Sequence, residues 1–328
     1  MALSTAFVDT YIAEWQQRLT SSYYPHRKHW PASLFHHAPI ENAVAILEDG
    51  YLRSRKDTLN QRPKDIAAPG VIDARDHAHS RVRLYFRPKT PTQWHIEGIR
   101  KAGECSYGDP THAAVLVMFA LDAKTVLTRP DIMFSSQNMQ LANTEPRSDE
   151  ASFLQIPFLK VFSEGGTGGD RSYTDARCAE VLPHSLVDLR TCLRAIYFRS
   201  EPERDTLLYM LGDKRSEWVK FCHVSDTLKI FQKEYTFVQD LRVSNDGVIF
   251  RLNPRRDLKS ISTKIDAWNA AGDKVISFFN ADHAPQPSSS ASYWILRHKL
   301  ANGIYRVEVK LEDNIAYKAE IMLGDTLF

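Results

Sequence analysis

From Tyr235 onward the sequence breaks into about seven short apolar runs: YTFVQDLRV, GVIFRL, SISTKIDAW, KVISFF, SYWILRH, GIYRVEVKL and IAYKAEIML. Asn245-Asp246-Gly247, Ala271-Gly272-Asp273 and Ala301-Asn302-Gly303 punctuate several of them. Short strands separated by turn signals at this spacing describe an all-β sandwich of immunoglobulin-like type. The cysteine pair of antibody domains is absent, so strand rhythm alone carries that expectation. The piece APQPSSS (284–290) reads as a loop inside the sandwich. Trp268, Tyr293 and Trp294 read as core before they read as a ligand platform, because aromatics supply much of a small sandwich's buried area.

Upstream the texture differs. The chain has 328 residues, more than one ordinary core holds, and two domains are expected. A boundary across Lys229 to Glu234 predicts an N-terminal domain over 1–230 and a sandwich over 235–328. Hydrophobic residues make up 43% and charged residues 25%, the balance of a globular protein. No run approaches the apolar length that spans a bilayer. MALSTAFVDTYIAEWQQRL reads as an amphipathic helix with Phe7, Tyr11, Ile12 and Trp15 on one side, not as a secretion signal. Cys105, Cys178, Cys192 and Cys222 form no CxxC pair, so free thiols in a reducing cytoplasm are expected, with no zinc site. A net charge of +2 leaves local basic patches, and with them nucleic acid, open.

In the N-terminal part, IENAVAILED (40–49) predicts a short helix with Ile40, Val44 and Leu47 on one face and Gly50 stopping it. RVRLYF (81–86), AAVLVMFAL (113–121), CAEVL (178–182) and RAIYF (194–198) predict strands, and EPERDTLLYMLG (201–212) a helix with an acidic first turn. The stretch from Arg53 to Ser80 is mostly loop. Residues 122–176 are long, polar and weakly periodic, which in a compact domain usually means function or mobility.

Three segments can carry chemistry. LFHHAPIENAVAILEDGYL (34–52) sets two histidines before a helix. LYFRPKTPTQW (84–94) runs an aromatic strand into a basic, proline-kinked loop. ARCAEVL (176–182) puts Glu180 at the head of an apolar strand. Taken singly, each has a plain structural reading: a hydrogen-bonded turn histidine, a loop, a solvated strand end. Site residues nonetheless gather on loops at strand ends.

Taken together and in this order, they resemble the DarT-type ADP-ribosyltransferases. The resemblance lies in Leu34-Phe35-His36 followed by a helix ending in Gly50-Tyr51-Leu52, in Tyr85-Phe86-Arg87-Pro88-Lys89-Thr90-Pro91, and in Ala179-Glu180-Val181-Leu182. It covers about residues 30–215. It implies an α+β ADP-ribosyltransferase fold, a split β-sheet core with flanking helices, ahead of the added sandwich. It also implies NAD as co-substrate and no metal. Glu180 would stabilise the oxocarbenium character of the ribose and deprotonate the nucleophile. His36 would hydrogen-bond the ribose of NAD. Arg75 would serve the pyrophosphate or the reacting base, with Arg53 and Arg55 as fallbacks, and Tyr85 would stack on nicotinamide unless it is a core tyrosine. The sequence departs from the family pattern at Ala38, where a polar residue is usual, and at Val82-Arg83-Leu84, where Val-Pro is usual.

SEGGTGGDRSY (163–173) is glycine-rich but does not lead from a strand into a helix as a P-loop does, and reads as a flexible loop. By resemblance this loop selects the acceptor, which makes Arg171, Tyr173 and Arg177 contacts to nucleic acid through phosphate pairing and base stacking. The implied acceptor is a base in DNA, in single strands where it is accessible. RNA or protein as acceptor, water as acceptor, and a non-catalytic nucleotide or nucleic-acid binder are the alternatives. The resemblance further implies a toxin or anti-phage effector, restrained by a macrodomain-type antitoxin. The sandwich is expected to bind a partner and do no chemistry.

Overall fold

The computed structural model describes all residues except 1, 22, 67–78, 106–107, 109–110, 140, 142–143, 286–293 and 325–328. Contacts divide the chain into two compact units. One comprises Met1–His95, Val117–Tyr197 and Ser225–Gln232, the other Ile96–Leu116, Phe198–Val224 and Lys233–Phe328. The second unit thus draws in two segments that a single boundary at 230–235 leaves with the first.

In the first unit, six strands lie side by side: β1 (Ser33–Pro39), β3 (Leu84–Tyr85), β4 (Leu116–Asp122), β5 (Met133–Phe134), β6 (Glu180–Leu182) and β8 (Leu193–Phe198). Their spatial order is β5-β6-β3-β1-β4-β8. β2 (Tyr51–Arg53) and β7 (Leu186–Asp188) pair separately. β4 is buried along nearly its whole length, as its unbroken apolar sequence requires of an interior strand. Helix α1 spans Thr5–Arg18, capped by the Ser4 hydroxyl, which accepts from the Phe7 amide. Helix α2 spans Ile40–Asp49 and stops at Gly50, which takes φ 82°. That left-handed conformation penalises any residue with a Cβ, and a Cβ there would also collide with the Arg190 guanidinium.

Segment 150–162 follows a different logic from the long loop that its weak periodicity suggests. It holds the short helices Glu150–Leu154 and Phe158–Val161, each too short to persist alone. Aromatic packing holds them. Phe153 meets Tyr11 at 5.0 Å and Phe134 at 5.0 Å, while Phe158 meets Tyr11 at 4.9 Å and Phe86 at 5.3 Å. Val8, Tyr11 and Trp15 are the buried face of α1. The cluster anchors Phe86 and so fixes the strand end at Tyr85.

The second unit begins its strands with β9 (Cys222–Val224), and all seven apolar runs become strands: β10 (Val238–Ser244), β11 (Gly247–Leu252), β12 (Ile261–Asn269), β13 (Lys274–His283), β14 (Trp294–Arg297), β15 (Gly303–Leu311) and β16 (Asn314–Leu323). They form sheets of order β10-β11-β14 and β13-β12-β15-β16. Phe250, Ile265, Val307 and Val309 belong to the apolar cluster between them. Trp268 and Trp294 are half-buried instead of interior. Trp268 lies under Arg306, whose guanidinium is 4.4 Å from the ring centre. Tyr293 and most of 284–290 lie outside the described residues. The helix Glu201–Met210 belongs to this unit: Lys318 N–H donates to Thr206 Oγ1 at 3.0 Å and the Ser200 hydroxyl donates to the Val238 carbonyl at 2.6 Å. Arg199 and Glu203 form a fully buried ion pair beside the Phe237 ring.

Candidate active site

Glu180 opens β6 with its backbone held on both sides. It is the register partner of Tyr85 in β3. On the other edge the Ser135 amide donates to the Glu180 carbonyl at 2.9 Å, and the Glu180 amide donates to the Ser135 carbonyl at 3.3 Å. A strand residue clamped on two edges has its side-chain direction set by the ladder. The side chain is fully buried, and among the described residues neither carboxylate oxygen has a hydrogen-bond partner. Arg83 Nη1 stands 3.9 Å from Oε1, an ion-pair distance too long for a hydrogen bond. Burial drives the Glu180 carboxyl up to about 7, against the opposing pull of the Arg83 guanidinium and the Met139 backbone amide. Sequence alone left a solvated strand end open for Glu180; the carboxyl is instead interior.

His36 and His37 lie on β1, next to β3 in the sheet. His36 Nδ1 is 3.0 Å from the Arg83 carbonyl oxygen. With Nδ1–H as donor, the neutral ring carries its lone pair on Nε2, the tautomer that can accept from a hydroxyl. Burial holds His36 below the usual histidine range, with the Arg83 carbonyl opposing. His37 is driven further, to about 3, by burial and then by His36. Its ring lies parallel to Tyr85, 5.3 Å between centres and 3° between planes. Tyr85 is itself buried and its phenol is held far above its ordinary range, first by burial and then by the Glu180 charge. His36, Tyr85 and Glu180 stand on neighbouring strands β1, β3 and β6, but Tyr85 is the register partner of Phe35 as well as of Glu180, so alternation puts His37 on their face of the sheet and His36, 6.2 Å from the Phe119 ring, on the other.

Arg75 lies outside the described residues. Its fallbacks are engaged elsewhere: Arg53 pairs with Asp49 at 2.5 Å and Asp57 at 3.0 Å, and Arg55 pairs with Asp65 at 2.5 Å. The residue that sequence reasoning passed over is Arg83, whose main chain meets His36 and whose side chain meets Glu180. A signal was present, since Arg83 lies two residues before Tyr85 and alternation puts positions two apart on one side.

The glycine-rich segment is tied down at one end. Arg87 is buried and donates through Nη1 to the Val161 carbonyl at 2.9 Å and to the Ser163 carbonyl. Arg177 donates to the Ser163 hydroxyl at 3.1 Å and the Gly165 carbonyl at 2.9 Å. Glu164 lies among His26, Arg87 and Lys89 at 3.5–3.8 Å. Arg171 begins the helix Arg171–Ala176 with its side chain 80% exposed, near Asp175. Tyr173 lies under Lys160, 5.1 Å from its ring centre. Of the three residues expected at nucleic acid, Arg171 has the free surface, while Arg177 spends its donors on the loop.

No group of histidine, cysteine and carboxylate side chains that could hold a metal occurs among the described residues. Nor is any helix among them long and apolar enough to cross a membrane.

Residues 35–231 match the family described as ssDNA thymidine ADP-ribosyltransferase, DarT. No curated protein matches the chain. Among solved structures, Thermus sp. 2.9 DarT in complex with ADP-ribosylated ssDNA is 16% identical and superposes with a TM-score of 0.51, covering 61% of this chain and 96% of that one. The same protein with carba-NAD+ is 16% identical with a TM-score of 0.49, covering 61% and 98%. With NAD+ it is 14% identical with a TM-score of 0.47, again covering 61% and 98%. The first of these likenesses establishes the fold of the N-terminal part. The family match extends over more than half of the chain and spans His36, Tyr85 and Glu180, and the chain belongs to the DarT family of NAD-dependent, single-stranded-DNA thymidine ADP-ribosyltransferases.

Proposed function

We propose that Glu180 carries transfer of ADP-ribose from NAD to a thymine base in single-stranded DNA, with His36 holding the ribose of NAD. The observation that carries this reading is the buried Glu180 carboxyl on the strand next to Tyr85, with no well-formed hydrogen bond among the described residues and Arg83 at 3.9 Å. A buried acceptor without a donor is costly in the protein alone. A ligand that brings a hydroxyl or a developing positive charge beside it supplies the missing partner.

The reaction breaks the bond between the ribose carbon and nicotinamide and forms one from that carbon to a ring nitrogen of the base. Nicotinamide leaves neutral and the base loses one proton. Ionised Glu180 stabilises the positive charge that builds on the ribose and accepts that proton. A carboxyl held near 7 is matched to proton transfer at neutral pH. His36 Nε2 accepts from a ribose hydroxyl in the tautomer that its bond to Arg83 favours. Arg75 is carried forward at the pyrophosphate or the reacting base, and Tyr85 beside nicotinamide. Arg171, Tyr173 and Arg177 are carried forward on the side of the DNA, Arg171 as direct phosphate contact and Arg177 through the loop it holds.

In the cell we propose a toxin or anti-phage role in the cytoplasm, countered by a partner that removes ADP-ribose through a macrodomain. The experiment offers labelled NAD with single-stranded DNA of each base, RNA, protein or none. Label entering only thymine-containing DNA supports the reading. Label entering RNA or protein instead, or hydrolysis equal in all arms, replaces it. Wild type expressed alone is expected to arrest a bacterial host while Glu180→Ala does not; equal growth at matched expression removes the toxin role.

A further inference from the structure

The feature of this site that the motif-bearing residues do not account for is Arg83. Its carbonyl oxygen is the partner of His36 Nδ1 at 3.0 Å. Its guanidinium, 21% exposed, lies 3.9 Å from the wholly buried carboxylate of Glu180. One residue thus supplies the acceptor that sets the histidine's tautomer and a cation beside the carboxylate. Among the described residues, Arg83 is the charged side chain that bears on the Glu180 carboxyl. β3 contributes the Tyr85 phenol, the segment after β5 contributes the Ser135 backbone and the Met139 amide, and the approach to β6 contributes Cys178. Both Tyr85 and Cys178 would add negative charge if they ionised. Burial disfavours the charged form of both His36 and His37.

We propose that Arg83 is a positioning residue for the transfer reaction, holding Glu180 in its ionised form. The inference rests on the reading of Glu180 as the reacting carboxylate. A carboxyl in an apolar interior takes up its proton unless a cation stands close by, and among the described residues Arg83, just before β3, stands at that distance. Losing it leaves Glu180 protonated over the neutral range, where it neither stabilises the ribose cation nor accepts a proton. The deficit should therefore be one of pH, not of fold or of NAD binding.

The test is the pH profile of kcat/KM for ADP-ribose transfer to a thymine-containing oligonucleotide, in wild type, Arg83→Lys, Arg83→Met and Glu180→Gln. Arg83→Met should move the acid limb upward by about one pH unit or more, so activity falls about tenfold at pH 7 and recovers toward wild type near pH 9. Arg83→Lys should stay close to wild type. Carboxyl-carbon NMR of labelled glutamate should show Glu180 titrating higher in Arg83→Met by the same interval. A uniform loss at every pH, or an unmoved limb and unmoved titration, overturns the role of Arg83. If Glu180→Gln itself keeps wild-type transfer, the underlying reading of Glu180 falls instead, whatever Arg83→Met does. Circular dichroism and titration with NAD at pH 9 separate misfolding from the effect sought, and unchanged NAD affinity there is the expected result.

Discussion

Tyr85 and Glu180 are direct register partners across the β3–β6 ladder, so phenol ring and carboxyl lie on one face of the sheet. The ring is backed in parallel by His37, and the carboxyl is sealed from water. This arrangement exchanges stability for chemistry, and the exchange is measurable.

Glu180 sits with its carboxyl raised to about 7 in the fold by burial, above its value of about 4.3 in an unfolded chain. Between those values the folded protein binds a proton that the unfolded chain does not, so stability falls as pH rises through the interval. The loss is complete above about 7 and absent below about 4. Its size is on the order of 3 kcal/mol. Glu180→Gln should therefore melt higher than wild type at pH 8 and equally at pH 4.5, read by denaturant titration. A destabilised Glu180→Gln at pH 8 would mean that the carboxylate has partners the geometry does not reveal.

His36 and His37 separate by function. His36→Ala removes the ring whose Nδ1 is tied to Arg83 and is expected to weaken NAD binding about tenfold, the worth of one good hydrogen bond. His37→Ala removes the ring stacked on Tyr85 and should cost stability with less effect on NAD affinity. Calorimetric titration giving the reverse order would shift the ribose contact by one residue.

How much of this was legible beforehand depends on where each residue's partners lie. α2 and its Gly50 stop were readable because both are local: an apolar face of helical period and a left-handed stop. The seven sandwich strands were readable for the same reason, alternation and turn residues. Helices Glu150–Leu154 and Phe158–Val161 were not, because Tyr11, Phe86 and Phe134, distant in sequence, hold them in place. At the site, His36, Tyr85 and Glu180 stood out through motif order. Arg83 did not, since its role comes from His36 and Glu180, distant in sequence; Arg87 stood within a motif, but its bonds to the Val161 and Ser163 carbonyls far along the chain were not legible.

Arg171 and Arg177 should fail differently. Arg171→Ala removes an exposed charge and is expected to weaken single-stranded DNA binding across sequences, lowering the salt slope by about 0.7. Arg177→Ala cuts the bonds to Ser163 and Gly165. It should lower stability by about 1 kcal/mol and speed proteolysis within 162–170. Identical binding and stability changes in both would contradict this division.

Ending the chain at Gln232 removes β10 to β16. In the second unit it strips Ser200 and Thr206 of their partners Val238 and Lys318, and leaves the Arg199–Glu203 pair without Phe237. An exposed apolar helix face and an opened buried ion pair both favour aggregation. The truncated chain should give about tenfold less soluble protein than the full chain. A soluble, cooperatively melting product with full NAD affinity would instead support independent folding with a boundary at 230–235.

The most direct test of the central claim is a single-turnover assay of wild type and Glu180→Gln with NAD and a thymine-containing single-stranded oligonucleotide, followed by intact mass. Wild type is expected to add one ADP-ribose mass to the oligonucleotide. Glu180→Gln is expected to bind both substrates and transfer at least about 10³-fold more slowly. Transfer by Glu180→Gln within about threefold of wild type would contradict Glu180 as the residue that carries the reaction.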